Sequence, residues 1–169
     1  MDEDMAEDVE ARVPLSDVLH GVTIADFTGE VAEVFMYAKL RYEDGDGWSF
    51  RTTPGYGQYR MIGHLVVQTQ LLRDSLMRDS GIGPVAADYG EEEVDVDAAE
   101  KFRGVEVWPL PEGGAIEIAF LLIKLRGKGR TASNIVRMTA RPNKEEILGA
   151  LTHFLDSRVR RQADQWAFD

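Results

Sequence analysis

From Ala32 to Tyr42 the chain alternates without a break. Ala32, Val34, Met36, Ala38, Leu40 and Tyr42 fall on one face of an extended segment, and Glu33, Phe35, Tyr37, Lys39 and Arg41 on the other. Only a strand repeats its side-chain direction every second residue, so this stretch reads as a half-buried strand with Phe35 and Tyr37 on its more exposed face. Asp44-Gly45-Asp46-Gly47 supplies residues that tolerate positive φ, and Trp48, Phe50 and Thr52 resume the alternation, which predicts a hairpin. Pro54 stops the second strand. After Gly55 and Gly57, Tyr59, Ile62, Leu65, Val66, Thr69, Leu72 and Leu76 recur at helical spacing. That helix should end near Ser80, because Gly81, Gly83 and Pro84 are a strong stop.

The same order returns in the second half. Ala115 to Leu125 is apolar on both faces apart from Glu117, as expected of a central strand covered on both sides. Gly127-Lys128-Gly129 can reverse the chain, and alternation resumes from Ala132 to Ala140 until Pro142. Asn143 with Glu146 forms a capping-box signature ahead of Ile147, Leu151, Phe154, Arg158 and Val159 at helical spacing. Lys39-Leu40-Arg41 and Lys124-Leu125-Arg126 close the two long strands, and Gly63 and Gly149 sit alike in the two helices. A pseudo-twofold ββα duplication accounts for this, and so does independent recurrence of a common unit. Either way the expected fold is α+β: a two-layer sandwich in which an antiparallel sheet of about four to five strands carries two long helices.

The flanking segments are acidic. Residues 1–10 carry Asp2, Glu3, Asp4, Glu7, Asp8 and Glu10 with few large apolar residues, so they are expected to form a disordered tail ahead of a single α+β domain at 11–169. Residues 84–100 hold seven acids and no base, and read as an exposed connection with helical tendency near Ala98. Ser16 to His20 suggests a short helix, and Val105 with Val107 a short strand.

At 169 residues with no cysteine, the chain is long enough for a core without staples, and it has no disulfide, thiolate nucleophile or sulfur-ligated zinc site. Its acidic start is the opposite of a signal peptide. The longest apolar run, Ala115 to Ile123, is far short of the ~20 residues of a spanning helix. A soluble, cytoplasmic protein with no membrane association is expected. The net charge of -11 opposes nucleic-acid binding in general. Six bases nevertheless fall between Lys124 and Arg141 with no acid among them, so Arg126, Lys128 and Arg130 are candidate anion-binding residues, for nucleic acid or an acidic partner.

Catalytic patterns are missing from the sequence. His20, His64 and His153 are far apart, the serines lie in no nucleophile elbow, and no dinucleotide fingerprint occurs. Asp44 to Ser49 departs from a calcium loop at Trp48, Ser49 and Gly55. No catalytic residue, metal ligand or cofactor is therefore assigned. The reading these observations favour is a protein-binding or adaptor domain, homodimeric and without catalytic activity. Helices on one side of the sheet would leave apolar sheet surface that a second copy could cover. Phe35 and Tyr37 on the sheet, Tyr56, Tyr59 and Arg60 around the first helix start, and the terminal Trp166 and Phe168 are the candidate contacts. The alternatives are a small-molecule binder or enzyme with a sheet-helix pocket containing His64 or His153, and nucleic-acid contact through 124–141.

Overall fold

The computed structural model of the protein describes residues 11–81, 94–127, 134–139 and 143–166. Along the chain run β1 (Val13–Pro14), α1 (Leu15–Val18), β2 (Thr23–Ala25), β3 (Val31–Tyr42), β4 (Gly45–Thr52), α2 (Gln58–Asp79), β5 (Asp95–Asp97), α3 (Ala98–Lys101), β6 (Glu106–Val107), β7 (Ala115–Leu125), β8 (Asn134–Met138) and α4 (Lys144–Trp166). The fold is mixed helix and strand with antiparallel sheets. The main sheet has the order β4-β3-β7-β8, so the two long strands β3 and β7 lie side by side at its centre, with Met36 opposite Leu121 and Tyr37 opposite Phe120. Two-sided apolarity placed β7 there, because a strand covered on both faces has no use for polar residues on either.

Local signals act where the chain turns. Tyr42 pairs with Gly45 across a two-residue turn at Glu43 and Asp44, so β4 starts three residues ahead of Trp48. Gly45 has φ 150°, a value that disfavours any side chain there. At the end of α2 the chain leaves the helix through Gly81 at φ 73°, whose N–H donates to Arg78 O at 2.9 Å. Asn143 Oδ1 accepts from the Glu146 N–H at 3.0 Å. The Glu146 carboxylate is turned to Lys39, 2.7 Å away, so the capping box contributes its first half and a tertiary ion pair replaces the second.

Both faces of the sheet are buried by the chain's own elements. On one, Phe35, Tyr37, Phe120 and Leu122 meet Met61, Leu65 and Leu72 of α2 and Ile147, Leu151 and Phe154 of α4. On the other, Val34, Met36, Ala38, Leu40, Ala119, Leu121 and Ile123 meet Leu15, Leu19, Ile24, Phe27, Ala98, Phe102 and Val107. This second cover consists of short elements: β1 pairs with β6, β2 pairs with β5, and α1 and α3 fill between them.

These packings correct two expectations. Phe35 and Tyr37 are not contact residues on an open sheet face. They are 0% and 5% exposed, ringed by Phe50, Tyr56, Trp48 and Phe154 at centroid distances of 4.9 to 6.4 Å, and the Tyr37 hydroxyl donates to Ala150 O at 3.4 Å. The uncovered sheet surface that called for a second copy is therefore filled by 11–27 and 94–107. The end of the acidic connection is likewise structural, since β5 pairs with β2 and Ala98 is fully buried. Residues 1–10, Lys128, Arg130 and Phe168 lie outside the described residues, as does the side chain of Trp166.

Candidate functional site

The surface with the clearest unfilled chemistry is α2. Its inner face is set by Met61, Leu65, Thr69 and Leu72, all buried against the sheet and α4. Its sequence holds more large apolar residues than that face can take. Tyr59 is 66% exposed, Val66 50%, Val67 54%, Leu71 53% and Met77 45%. Separated by seven, one, four and six residues, these five lie on the outward half of the helix and spread over roughly 140° of its circumference. Gly63 lies among them, and a methyl group added there would meet no atom within 4 Å. A mid-helix glycine costs about 1 kcal/mol relative to alanine, and among the described residues no close neighbour requires this one.

Two candidates named from the sequence turn inward beside this strip. Tyr56 stands under Arg60, whose guanidinium is 5.1 Å from the ring centroid, and its hydroxyl is 3.1 Å from His64 Nδ1. Arg60 reaches Glu33 at 2.8 Å, and Lys124 reaches the other Glu33 oxygen at 3.2 Å. Among the described residues Arg60 Nε is a buried polar atom without a hydrogen-bond partner, in keeping with a side chain held by its planar face and terminal nitrogens. Tyr56 and Arg60 therefore fasten the start of α2 to the sheet, and Tyr59 alone of the three points to solvent.

The electrostatics of this cluster are set by burial. Desolvation pushes the Tyr56 phenol up to about 12, so it keeps its proton and donates. Desolvation, with Arg60 nearby, pulls the His64 imidazole below its ordinary value. A neutral imidazole accepting from Tyr56 satisfies both. For Glu33, desolvation pushes upward, but hydrogen bonds from Arg60 and Lys124 outweigh it and hold the carboxyl below its usual value. Both depressed values have the same sign for linkage: stability is complete above the unfolded pKa and is lost as pH falls through the folded one. The melting temperature should fall in two stages on acidification, first below the ordinary imidazole value of 6.5 and again below the ordinary carboxyl value of 4.5. His64→Gln, which keeps an acceptor for Tyr56, should flatten the first stage, and a melting temperature series from neutral pH to about pH 5 reads it directly.

A mirror-like cluster closes the opposite end of the helical layer. Lys39 pairs with Glu146 of α4 at 2.7 Å, with Asp46 at 3.4 Å and with Glu117 at 3.7 Å, and Arg41 joins Glu117 at 2.7 Å. Asp46 thus serves the hairpin and its lysine. Among the described residues no group of three or more His, Asp or Glu side chains is arranged to hold a metal.

The pocket and anion alternatives gain little. Two shallow depressions, of about 350 and 290 Å³, are lined respectively by Asp26, Phe27, Thr28, Leu125, Ile135 and Arg137, and by residues around Thr53, Gly104, Glu106 and Arg126. Neither holds a histidine; His64 is bound to Tyr56 and His153 is exposed. Arg126 pairs with Glu30 at 3.2 Å, and Arg137 donates to Ala25 O and Asp26 O at 2.9 and 2.8 Å. Lys124 is committed to Glu33, so the described bases of 124–141 are engaged within the chain.

No family model, curated protein or solved structure matches the chain. Among the described residues no helix is long and apolar enough to cross a membrane.

Proposed function

We propose that the chain is a cytoplasmic protein-binding or adaptor domain, without catalytic activity, that docks its partner on the outward face of α2. The observation that carries this is the group of five large apolar side chains, each about half exposed, on a helix whose inner face is already filled. Exposed apolar residues scattered singly are ordinary, but several gathered on the outward half of one element mark interaction surfaces. Helix faces of this kind engage a second amphipathic helix, with anchors at one-turn intervals.

The scaffold under that face fits a pair of ββα units, β3-β4-α2 and β7-β8-α4, related by a pseudo-twofold axis between β3 and β7. Phe35, Tyr37 and Lys39 stand in β3 as Phe120, Leu122 and Lys124 stand in β7, and Met61, Gly63 and Leu65 stand in α2 as Ile147, Gly149 and Leu151 stand in α4. On this reading the helices and sheet are the two-layer sandwich, and the short elements of 11–27 and 94–107 are an addition that seals its other side.

The test is selection of helical peptides on the wild-type protein, with Val66→Glu/Leu71→Glu as counter-screen. Both substitutions are at exposed positions, so folding stability should stay within about 0.5 kcal/mol. Enriched peptides should bind the variant at least tenfold more weakly, because each places a charge in a desolvated contact. Peptides that bind both proteins equally would locate recognition elsewhere and remove this reading.

A further inference from the structure

We infer that the acidic segment 1–10 of this same chain crosses the outer edge of β4 and sets its carboxylates against Arg158 and Arg161 of α4. The contact goes beyond the docking reading and uses no residue of α2.

Two guanidinium groups stand close together on α4 without an acid. Arg158 is half-buried, and its guanidinium lies over two rings, 4.5 Å from the Phe50 centroid and 5.0 Å from that of Phe154. Burial, together with the charge of Arg161, holds the Arg158 guanidinium below its ordinary value. Arg160 is already paired with Asp156 at 2.9 Å, whereas among the described residues neither Arg158 nor Arg161 has an ion pair. A guanidinium laid on a ring keeps its N–H edge free for a carboxylate, which it binds through two parallel hydrogen bonds. In a chain of net charge -11, two unmatched like charges side by side call for such a group, since each raises the cost of the other until an anion joins them.

The start of the described chain is close by. Arg12 lies over the Trp108 ring, 4.6 Å from its centroid, and the carbonyl of the next residue, Pro109, accepts from Arg51 Nε at 2.6 Å. Arg51 adjoins Phe50 in β4, the edge strand of the main sheet. Arg12 and Arg158 therefore lie on opposite sides of one edge strand, roughly two layer spacings of ~10 Å apart. Ten extended residues span about 33 Å, enough for 1–10 to round that edge. They carry six acids and no base, and the acids from Glu7 back to Asp2 come within reach of the arginine pair.

The other acidic stretch is placed less well. Residues 82–93 leave from the end of α2, where Asp79 is held to Lys144 at 2.8 Å, and Lys144 is 14 residues from Arg158 along α4, about 21 Å. They return at Val94, whose carbonyl accepts from the Asp26 N–H at 2.8 Å on the cover. Segment 1–10 also has a use at the edge. Among the described residues β4 is paired on one side only, with β3, and a run of acids laid across its open side would keep other strands from adding there.

The absence of cysteine lets the full chain be labelled at one site. A nitroxide on Ala6→Cys should strip most of the intensity from the amide signals of Ser49 to Arg51 and Arg158 to Gln162, and little from those at the start of α4. The loss should vanish in 1 M NaCl, where charges are screened within about 3 Å. It should vanish too in Arg158→Gln/Arg161→Gln, checked for native circular dichroism, and persist in Arg160→Gln, whose charge Asp156 already matches. Isotope-labelled protein without nitroxide, mixed with unlabelled spin-labelled protein, should lose nothing. Signals that stay sharp around Arg158, or a loss that survives the double substitution, would overturn the inference. Loss in the mixed sample would also overturn it, by placing the segment on a second copy. So would a sharp Arg158 region that responds to an added free Asp/Glu-rich peptide, because the pair would then serve a separate acidic partner.

Discussion

Phe35→Ala should destabilise the protein by about 3 to 5 kcal/mol, a large part of the ~5 to 15 kcal/mol available to a domain of this size. Phe35 is fully buried and is surrounded by aromatic rings from three elements, Tyr37 on its own strand, Phe50 on β4 and Phe154 on α4, with Tyr56 at the entry to α2. Rigid rings cannot collapse into the space that a benzyl group leaves, so little of the cavity would be recovered. Urea unfolding followed by circular dichroism measures the loss through the shift in midpoint. Tyr59→Ala provides the contrast: it removes a similar ring from the outside of α2 and should change stability by no more than about 0.5 kcal/mol. If Phe35→Ala cost under about 1 kcal/mol, comparable to a surface change, the residue would not be the core anchor that its packing makes it.

The contrast between those residues shows what the sequence conveyed about the fold and what it concealed. Strand β7 occupies the span of its apolar run, Ala115–Leu125, and α2 stops where Gly81 is placed. The helix start at Asn143 is made by the side chain that its spacing named. These features are local, since each depends on a period or a cap within a few residues. The burial of Phe35 and Tyr37 is not local. Alternation reports that a strand has two faces, but Glu33, Lys39 and Arg41 made one of them look solvated. In the fold those charges sit at the rims of the helical layer, where Arg60, Glu146 and Glu117 meet them, and only the aromatic middle is covered. Strands β1, β2 and β5 are two or three residues long, too short to show any period.

The candidate site was half legible for a related reason. Tyr59 stood out as an aromatic beside glycines, and it does face solvent. The rest of the group was hidden among residues that share its helical spacing with the core. Adjacent apolar residues were the usable signal: Leu65-Val66-Val67, Leu71-Leu72 and Leu76-Met77 cannot all face one way on a helix that turns about 100° per residue. At least one member of each group must point outward, and Val66, Val67, Leu71 and Met77 are those members.

Phe102→Ala should cost a similar ~3 to 5 kcal/mol, and its effect should extend well beyond the segment that carries it. Phe102 is fully buried with its ring 5.9 Å from Phe27. Lys101 beside it pairs with Asp26 and donates to Phe27 O at 3.0 Å, so the segment that follows the acidic connection is pinned there to the segment that precedes β3. In the middle of β3 and β7, Val34, Met36, Ala38, Ala119, Leu121 and Ile123 belong to this cluster and the intervening Phe35, Tyr37, Phe120 and Leu122 to the helical cluster. Loosening the short-element cover would put Met36, Leu121 and Ile123 in water while their neighbours Phe35, Tyr37 and Leu122 were still held, which the shared backbone of a central strand does not allow cheaply. Unfolding should therefore remain one cooperative transition, with hydrogen-exchange protection falling together in β7, in α2 and in 11–27. Loss of protection confined to 11–27 and 94–107, with β7 unchanged, would mean that the cover is a separable attachment and not one side of a common core.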